Sequence, residues 1–389
     1  MSQVSSKDGA DDAGARALAN SFDVLARSGH ARRGVFYSNH GPIQTPTFMP
    51  VGTQASVKSV SPSELTQTGT QMLIANTYHL WLRPGAELVN DHGGLHQFMR
   101  WKGAIATDSG GFQAFSLAER TKLSEQGFEF ASHLDGSRHM LTPEESMRVQ
   151  GLLGADIALQ LDVCPPAGVP LSEVQEAVSR TTRWAERCLA ARTEGQALFG
   201  IIQGGSHVDL RLSHAADLAS LPLDGLALGG FSVGEPPEEM HKTLAAVVPH
   251  LDPDRPHYLM GVGTPQDLIR AIGVGVDVFD CVIPTRNARN GQAFTRTGKI
   301  VIRNAKHRED QRPLEEDCAC PTCSMGFTRA YLRHLFMAGE MLAYRLLTLH
   351  NLHHYASLTE EARSAIEQQR YQEWARERLR LMGQSSELV

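Results

Sequence analysis

Aromatic residues are scarce in this chain, at 6% of 389 residues, and no apolar run approaches the roughly 20 residues that span a bilayer. The scarcity argues against a carbohydrate cleft with aromatic platforms, and the short runs argue against a membrane-spanning helix. The N-terminus lacks the apolar segment of a secretory signal, and its first 20 residues hold too little apolar surface to offset the entropy of ordering. We therefore predict a cytoplasmic protein without membrane contacts and a disordered leader over residues 1–20.

Acidic residues are missing from one long tract, although the chain as a whole has a formal net charge of −6. Residues 286–308 contain seven Lys or Arg and no Asp or Glu. Just before this tract, Asp280 ends the apolar segment "VDVFD". Basic side chains beside a carboxylate favour contact with a phosphate backbone over a solvated hairpin face.

Eight short apolar runs recur along the chain, each ending in Gly, Asp, Asn or Gln. They are "TPTFMPVGT", "QMLIANT", "GAIATDSGG", "ADIALQLD", "ALFGIIQGG", "GLALGGF", "HYLMGVG" and "VDVFD". Such near-continuous apolar runs are typical of parallel strands buried on both faces. Helical segments lie between them, two of which begin with the capping signals of Ser61 and Thr142. The pattern predicts an α/β fold, a (β/α)8 TIM barrel, over an open doubly wound sheet, because no Gly-rich fingerprint follows the first run.

Two connections are too long to be simple loops. The first contains "FEFASHLDGSRHML" and the second, after Asp280, contains "GQAFTRTGKIVIRN". Both predict hairpins. We assign residues 21–285 to the barrel and residues 286–355 to an inserted subdomain with the basic hairpin and a metal site. Residues 356–389 are assigned to a C-terminal amphipathic helix that can close the barrel.

The active site of a (β/α)8 barrel lies at the carboxyl ends of its strands, and these positions provide the candidates. They are Asn76, Asp108, Ser109, Gln113, Asp162, Gln203, Gly229, Gly230, Met260, Gly261 and Asp280. Any one of the three carboxylates can be a helix cap, but three at one mouth shift one another's pKa. They indicate glycosidic bond chemistry, with one carboxylate as nucleophile and another as acid/base.

Three cysteines, Cys318, Cys320 and Cys323, lie close together and are followed by the segment "HNLHH". Three thiolates and one imidazole form the closed ligand set of a structural zinc site. We therefore predict one structural zinc ion per chain. The spacing does not decide which histidine is the fourth ligand: His350, His353 or His354.

The combination of motifs resembles bacterial-type tRNA-guanine transglycosylases, the queuine tRNA-ribosyltransferase family. The resemblance covers about residues 22–355 and is carried by "TPTFMPVGT", "NTYHLWLRPG", "DSGGFQAFSL", "DGSRH", "IIQGG", "ALGGFSVGEP", "GVGTP", "DVFDCVIPTRNARNG" and "CACPTC…TLHNL". It implies a zinc-containing homodimer that acts on the anticodon loop of tRNA. The implied reaction replaces the wobble guanine of GUN-anticodon tRNAs with 7-aminomethyl-7-deazaguanine in queuosine biosynthesis, through a covalent aspartyl–ribose intermediate.

The resemblance also implies a role for individual residues. Asp280 would be the nucleophile and Asp108 the general acid/base. The polar edges of the 7-deazaguanine base would be read by Ser109, Asp162, Gln203 and the Gly230 amide. Phe112 and Met260 would sandwich the base beside Gly261. The zinc ligands would be Cys318, Cys320, Cys323 and His350, while Arg286 and Arg289 remain our candidates for phosphate contacts.

The sequence departs from the family pattern at Ala114, Val163, Phe231 and Ser232. Val163 and the pair Phe231–Ser232 flank the region expected to meet the 7-substituent of the incoming base, whereas the branched side chain of Val233 would obstruct the larger base queuine.

Three alternative functions stay open: a salvage enzyme that uses queuine, a non-catalytic tRNA-binding partner subunit, and a sugar hydrolase. Retention of both Asp108 and Asp280 argues against the partner subunit.

Overall fold

The computed structural model describes residues 19–116 and 121–385, with the side chain of Phe115 excepted. The predicted leader therefore lies outside the described residues except for its last two. The described part contains 16 strands. They are β1 (Phe22–Ser28), β2 (Ala31–Ser38), β3 (Gly41–Thr45), β4 (Thr47–Pro50), β5 (Met72–Ala75), β6 (Ala104–Thr107), β7 (Lys122–Leu123), β8 (Phe128–Ala131), β9 (Arg138–Leu141), β10 (Ile157–Leu159), β11 (Ala197–Ile202), β12 (Gly225–Leu228), β13 (His257–Leu259), β14 (Val278–Cys281), β15 (Gln292–Thr295) and β16 (Gly298–Val301).

Eight parallel strands form the central sheet, in the order β4-β14-β13-β12-β11-β10-β6-β5. The two end strands meet where Val51 bridges to Ile74, and the Gly52 N–H donates to the Ile74 carbonyl at 2.7 Å. This contact closes the sheet into a barrel. Each barrel strand coincides with one of the eight apolar runs, and β14 alone extends one residue past its run, to Cys281. The predicted (β/α)8 fold is therefore confirmed, and the open doubly wound sheet is wrong.

Helices connect the barrel strands and cover their outer faces. The described α-helices are α1 (Pro62–Gln67), α2 (Thr77–Leu82), α3 (Ala86–Asp91), α4 (Gly94–Met99), α5 (Gly111–Ser116), α6 (Pro143–Leu153), α7 (Leu171–Ala191), α8 (Val208–Ala219), α9 (Pro237–Val247), α10 (Pro265–Val274), α11 (Ile283–Arg289), α12 (Pro321–Ser324), α13 (Arg329–Met337), α14 (Met341–Glu367) and α15 (Tyr371–Leu381). The predicted start signals are used: Glu64 accepts from the Ser61 N–H at 2.9 Å, and Thr142 accepts from the Glu145 N–H at 3.1 Å. Among these described helices, none has the length and apolarity that crossing a bilayer requires.

Side chains of alternating strand positions fill the barrel interior. Ile201 and Val278 belong to one buried cluster with Phe199 and Tyr258, whereas Phe279 packs in the cluster shared with the outer helices. Because successive residues of a strand face opposite sides, Asp280 lies on the same inward side as Val278. The strand period therefore aims the Asp280 carboxylate at the barrel mouth.

An antiparallel sheet of β1, β2 and β3 precedes the barrel and was not among the predicted elements. Its residues Phe36 and Ile43 pack into the barrel interior cluster. The buried Arg32 forms an ion pair with Asp277, directly before β14, and donates to the Pro253 carbonyl at 2.9 Å. The sheet therefore covers the end of the barrel opposite to the candidate site.

A triad of His40, His96 and Asp156 fastens this sheet to the barrel. His40 Nδ1 lies 2.8 Å from Asp156 Oδ1, His96 Nε2 lies 3.2 Å from Asp156 Oδ2, and the two imidazole rings stack at 3.5 Å. The hydrogen bond to Asp156 raises the pKa of His40. Burial opposes ionisation of Asp156, but the hydrogen bonds from both histidines outweigh it and lower the pKa of Asp156 to about 2.

These shifts predict a pH window in which the triad stabilises the fold. The contribution of His40 is complete below its ordinary pKa of 6.5 and is lost as pH rises through the raised value, while that of Asp156 is lost as pH falls from 3.8 towards 2. We expect His40→Ala to lower the urea midpoint most between about pH 4 and pH 6.5. The exposed His30, for which the described residues provide no ion pair, is the matched control. An equal difference for His40→Ala at pH 5 and pH 8.5 would contradict the expectation.

Both predicted hairpins are present. Strands β8 and β9 pair antiparallel with β7 added at the edge, and β15 pairs antiparallel with β16. The C-terminal region differs from the expected single helix, because the 27-residue α14 crosses the predicted domain boundary at residue 356 and a break at residues 368–370 separates it from α15. Tyr355 of α14 packs on Phe48 of β4 at a ring distance of 4.6 Å. The same helix thus touches the barrel and carries part of the metal cluster.

Candidate active site

The carboxylate of Asp280 is held through only one of its oxygens. Oδ1 accepts from the Tyr258 hydroxyl at 2.6 Å and from the Gly261 N–H at 2.8 Å. Within the described part of the chain, Oδ2 has no hydrogen-bond donor. Burial raises the pKa of Asp280, and the hydrogen bonds from Gly261 and Tyr258 oppose the rise. The carboxylate is therefore oriented while one oxygen stays available.

Asp108 follows β6 and accepts hydrogen bonds from residues at the starts of α2 and α5. Its Oδ1 accepts from the Thr77 N–H at 2.9 Å and the Gly110 N–H at 3.2 Å, and its Oδ2 accepts from the Asn76 amide. Burial raises the pKa of Asp108 to about 7, and the negative charge of Asp280 adds to the rise. The two carboxylates thus lie close enough to interact, and Asp108 can exchange a proton near neutral pH.

Asp162 and Gln203 form a second polar pair between the ends of β10 and β11. Gln203 Nε2 donates to Asp162 Oδ2 at 2.6 Å, while the buried Gln203 Oε1 has no partner among the described residues. Burial raises the pKa of Asp162 to about 6, so the group is mostly ionised at neutral pH. The pair offers acceptor oxygens to a ligand with N–H donors.

Two glycines after β12 make room for Gln203. A Cβ on Gly229 would lie 2.7 Å from Gln203 Nε2, and one on Gly230 would lie 2.4 Å from Gln203 Oε1. Gly230 also has a φ of +69°, in the left-handed region that side chains disfavour. Both positions therefore require glycine if Gln203 is to stay beside Asp162.

Two cavities adjoin at Pro165 and Pro166. One, of about 350 Å³, is lined by Phe112, Asp162 and Val163, and the other, of about 520 Å³, is lined by Gln203, Gly230 and Val233. Phe112 is 51% exposed, which leaves its ring face free for an apolar or aromatic ligand. The cavities place a flat aromatic surface next to the polar pair.

The remaining predicted site residues lie around this centre. Ser109 is buried, and its Oγ accepts from the Gly111 N–H at 3.3 Å, at the start of the helix that carries Phe112. Met260 is half-buried beside the barrel interior cluster, next to Gly261. Ser109 and Met260 do not border the two cavities. Met260 and Gly261 lie on the Asp280 side of the mouth, where the Gly261 N–H reaches the carboxylate, whereas Phe112 lies on the Asp162 side.

Sequence reasoning missed the contribution of Tyr258. The residue lies two positions before Met260, so the strand period alone could have placed it on the same inward face. Burial raises its pKa well above 10, and the neighbouring Asp280 adds to that rise. Tyr258 is therefore a stable hydrogen-bond donor to the carboxylate at any pH near neutral.

Arg286 and Arg289 lie on α11, one turn apart, directly after Asp280. Arg286 is exposed, and Arg289 Nη1 has no hydrogen-bond acceptor among the described residues. Burial lowers the pKa of Arg289 and the charge of Arg286 lowers it further. Arg296, from the same basic tract, is instead paired with Glu361 of α14. Arg286 and Arg289 therefore carry charges that no ion pair among the described residues neutralises, unlike the charge of Arg296.

The three clustered cysteines converge on His350 of α14. Their sulfurs lie 3.7, 3.5 and 3.5 Å from His350 Nδ1 for Cys318, Cys320 and Cys323 respectively. His350 Nε2 lies 2.7 Å from the Phe294 carbonyl, which accepts its proton and leaves the Nδ1 lone pair for a metal ion. The four ligand atoms lie within 4.8 Å of one another, so the cluster can hold a metal ion. His353 and His354 are outside it.

The fold and site define a (β/α)8-barrel enzyme with interacting carboxylates at its mouth and a separate Cys3His cluster. The model of the queuine tRNA-ribosyltransferase family matches residues 27–384, and the chain belongs to this family. The sequence is 65% identical to a queuine tRNA-ribosyltransferase of Sorangium cellulosum over 356 residues, which is 92% of this chain and 90% of the relative. It is 54% identical to the protein of that name from Syntrophobacter fumaroxidans (91% of this chain, 96% of the relative) and 51% identical to that from Methylobacillus flagellatus (92% and 96%). The protein is thus a transferase, and the sugar hydrolase alternative is wrong.

Proposed function

We propose that this enzyme replaces the wobble guanine of GUN-anticodon tRNAs with 7-aminomethyl-7-deazaguanine, in queuosine biosynthesis in the cytoplasm. The observation that carries the proposal is the pairing of an oriented Asp280 with an Asp108 whose pKa is about 7, at a barrel mouth where Asp162 and Gln203 line two adjoining cavities. The protein names of the relatives support tRNA as the substrate. Incorporation of labelled guanine into unmodified tRNA tests the proposal, because neither a hydrolase nor a non-catalytic partner subunit incorporates label.

The reaction proceeds as two displacements at the ribose C1′. Asp280 Oδ2 attacks C1′, the bond from C1′ to guanine N9 breaks, and Asp108 donates a proton to the leaving base. The incoming base then loses its N9 proton to Asp108 and attacks C1′, which releases Asp280. The glycosyl ester keeps the free energy of the broken bond, so the exchange needs no nucleoside triphosphate as an energy source.

The base is read by the polar pair and the glycine turn. The ionised Asp162 accepts from the ring N–H and amino group of guanine, while Gln203 and the Gly230 N–H serve the opposite edge. Ser109 supports the Asp162 side, and Phe112 and Met260 cover the two faces of the ring. Extrusion of the wobble base costs a few kcal/mol, least in a loop, and this cost favours an anticodon loop as substrate.

Our prediction of the incoming base rests on the space available beside Val233. This residue borders the larger cavity together with Glu235 and Gly230, so its branched side chain limits the space for a 7-substituent. We expect a higher kcat/KM for 7-aminomethyl-7-deazaguanine than for queuine in competition kinetics, because the cyclopentenediol of queuine needs more room. Val163, which is buried and lines the smaller cavity, replaces a carboxylate that could favour the amine, but its loss leaves the steric limit at Val233 in place. Preference of the wild-type enzyme for queuine would make this a salvage enzyme, and Val233→Gly tests the steric cause directly by improving the use of queuine.

Arg286 and Arg289 are proposed to bind the tRNA backbone. We expect removal of either arginine to weaken tRNA binding by roughly tenfold at low salt. The slope of log affinity against log salt concentration should also decrease by about one unit, the value of one phosphate contact. Filter binding between 50 and 300 mM salt measures both effects. Arg296→Ala is the matched control, since its guanidinium is already paired with Glu361. A loss for Arg296→Ala as large as for Arg286→Ala would argue against specific phosphate contacts.

A homodimer is proposed from exposed apolar side chains around the metal subdomain. Met325, Tyr331, Met337 and Met341 lie on and between α12, α13 and α14, and Met341 is 81% exposed. Four large apolar side chains near one another in sequence and in the subdomain are unusual for a surface that faces only water. A second copy of the chain on this surface would cover them.

We further propose zinc as the metal of the Cys3His cluster, with a structural role.

A further inference from the structure

Arg211 is a fully buried arginine in α8, behind the pocket wall. Its guanidinium reaches the ends of two neighbouring barrel strands. Nε donates to the Gly205 carbonyl at 2.5 Å, Nη1 to the Ile202 carbonyl at 3.3 Å, and Nη2 to the Gly229 carbonyl at 2.9 Å. A second contact from Nη2 reaches the Gly230 carbonyl at 3.4 Å. One side chain thus fixes the backbone of both glycine turns that border the pocket.

This cation forms no ion pair with the described residues, although the charge of Glu235 acts on it from a longer distance. No Asp or Glu of the described residues lies within ion-pair distance of Arg211, and burial lowers its pKa to about 9, which leaves it charged at neutral pH. A buried charge is costly unless every donor is used. The planar fork of arginine reaches these carbonyls with three separate nitrogens, a spread that the compact ammonium of lysine reproduces only in part. The arrangement therefore favours a guanidinium.

The bond to Gly229 determines where the Gly230 N–H points. The Gly229 carbonyl and the Gly230 N–H belong to one trans peptide plane, so they point in opposite directions. Because Arg211 holds the carbonyl on the helix side, the N–H faces the pocket. Gly230 itself lines the larger of the two cavities, beside Gln203.

Phe231 braces the guanidinium from the other side. Its ring centroid lies 3.9 Å from the Arg211 Cζ, and its side chain is buried. The ring does not border either cavity, so this departure from the family pattern acts on Arg211 and not on the 7-substituent. A stacked aromatic ring restricts the guanidinium to the plane in which it meets the two carbonyls.

We propose that Arg211 is a positioning residue for base recognition: it holds the Gly229–Gly230 peptide so that the Gly230 N–H is presented to the 6-oxygen of the purine. The inference rests on the proposed function, because it assigns the Gly230 amide a base to read. Arg211 itself does not touch the base. Its loss should therefore affect discrimination at position 6 more than it affects the rest of the base.

Three bases separate this role from a merely structural one. 6-Thioguanine keeps the ring N–H and amino donors of guanine but offers a poorer acceptor at position 6, whereas hypoxanthine keeps the 6-oxygen and lacks the amino group. We expect the wild-type protein to bind guanine more tightly than either analogue in calorimetric titrations. In Arg211→Met, the preference for guanine over 6-thioguanine should fall on the order of fivefold, the value of one neutral hydrogen bond, while the preference over hypoxanthine stays unchanged.

Two further variants keep the test decisive. Arg211→Lys should fold and show an intermediate loss, and Phe231→Leu should show a smaller loss of the same kind, even if Arg211→Met does not fold. Arg255→Met is the matched control, since Arg255 also holds backbone carbonyls, those of Leu218 and Ala219, away from the pocket. An equal loss of affinity for all three bases, accompanied by lower thermal stability, would overturn the inference. Absence of base binding by the wild-type protein would overturn the proposed function and this inference with it.

Discussion

The Asp280→Ala variant is expected to lose base exchange by about 10⁴-fold or more and to form no tRNA adduct that survives denaturation. In the wild-type enzyme, the Tyr258 hydroxyl and Gly261 N–H orient one carboxylate oxygen and leave the other available. Alanine removes that oxygen without replacing it. Denaturing electrophoresis of enzyme mixed with tRNA, in the absence of a free base, shows the adduct as a band of reduced mobility.

Asp108→Asn is the informative comparison, because it removes a proton donor and keeps the shape of the site. The Asp108 carboxylate accepts from Thr77, Gly110 and Asn76, so the amide will lose some of these contacts while the pocket around Asp162 and Gln203 stays intact. We expect base binding to be partly retained and turnover to be lost. An adduct that persists in Asp280→Ala would instead transfer the nucleophile role elsewhere, with Asp108 as the first candidate.

The barrel could be predicted from the sequence because parallel strands covered on both faces are nearly continuous in apolar residues. The N-terminal sheet could not be predicted in this way. Strand β1 alternates half-buried and exposed residues in a short segment, and β3 has only five residues, one of them proline. Contacts with residues far along the chain fix this sheet, among them the ion pair between Arg32 and Asp277, 245 positions apart, and the bond from His40 to Asp156. Such a contact leaves no local pattern.

The candidate site shows the same division. The rule that active sites lie at strand ends identified Gly229 and Gly230 as candidates. These positions require glycine because a Cβ there would collide with the side chain of Gln203, which follows another strand. Arg211 carries no signal at all in the sequence, where it is one basic residue of an ordinary helix. Charge counting along the chain was misleading for Arg296, which is paired with Glu361 more than 60 residues away. Positions follow from local periodicity, whereas partners depend on tertiary packing.

The second large effect is expected for Cys320→Ser, which should remove the metal and loosen the subdomain. Its sulfur is fully buried and lies 3.5 Å from His350 Nδ1. A hydroxyl is a poor ligand for zinc, and metal binding in such a site contributes directly to the free energy of folding. Metal analysis of the purified wild-type protein should give one zinc ion per chain, and that of the variant close to none. Cys188→Ser, a fully buried cysteine outside the cluster, is the control and should keep the zinc.

The loss should spread from the cluster towards the catalytic end through α14. His350 holds the Phe294 carbonyl at 2.7 Å, and its neighbour Asn351 accepts from the Phe294 N–H at 2.9 Å and donates to the Pro284 carbonyl at 2.9 Å. Pro284 lies in α11, the helix that bears Arg286 and follows Asp280. Without the metal, we therefore expect limited proteolysis to cut the subdomain first and tRNA affinity to fall even though base binding at Asp162 is preserved. A metal-free preparation with full activity and unchanged protease resistance would show that the cluster does not hold this part of the fold together.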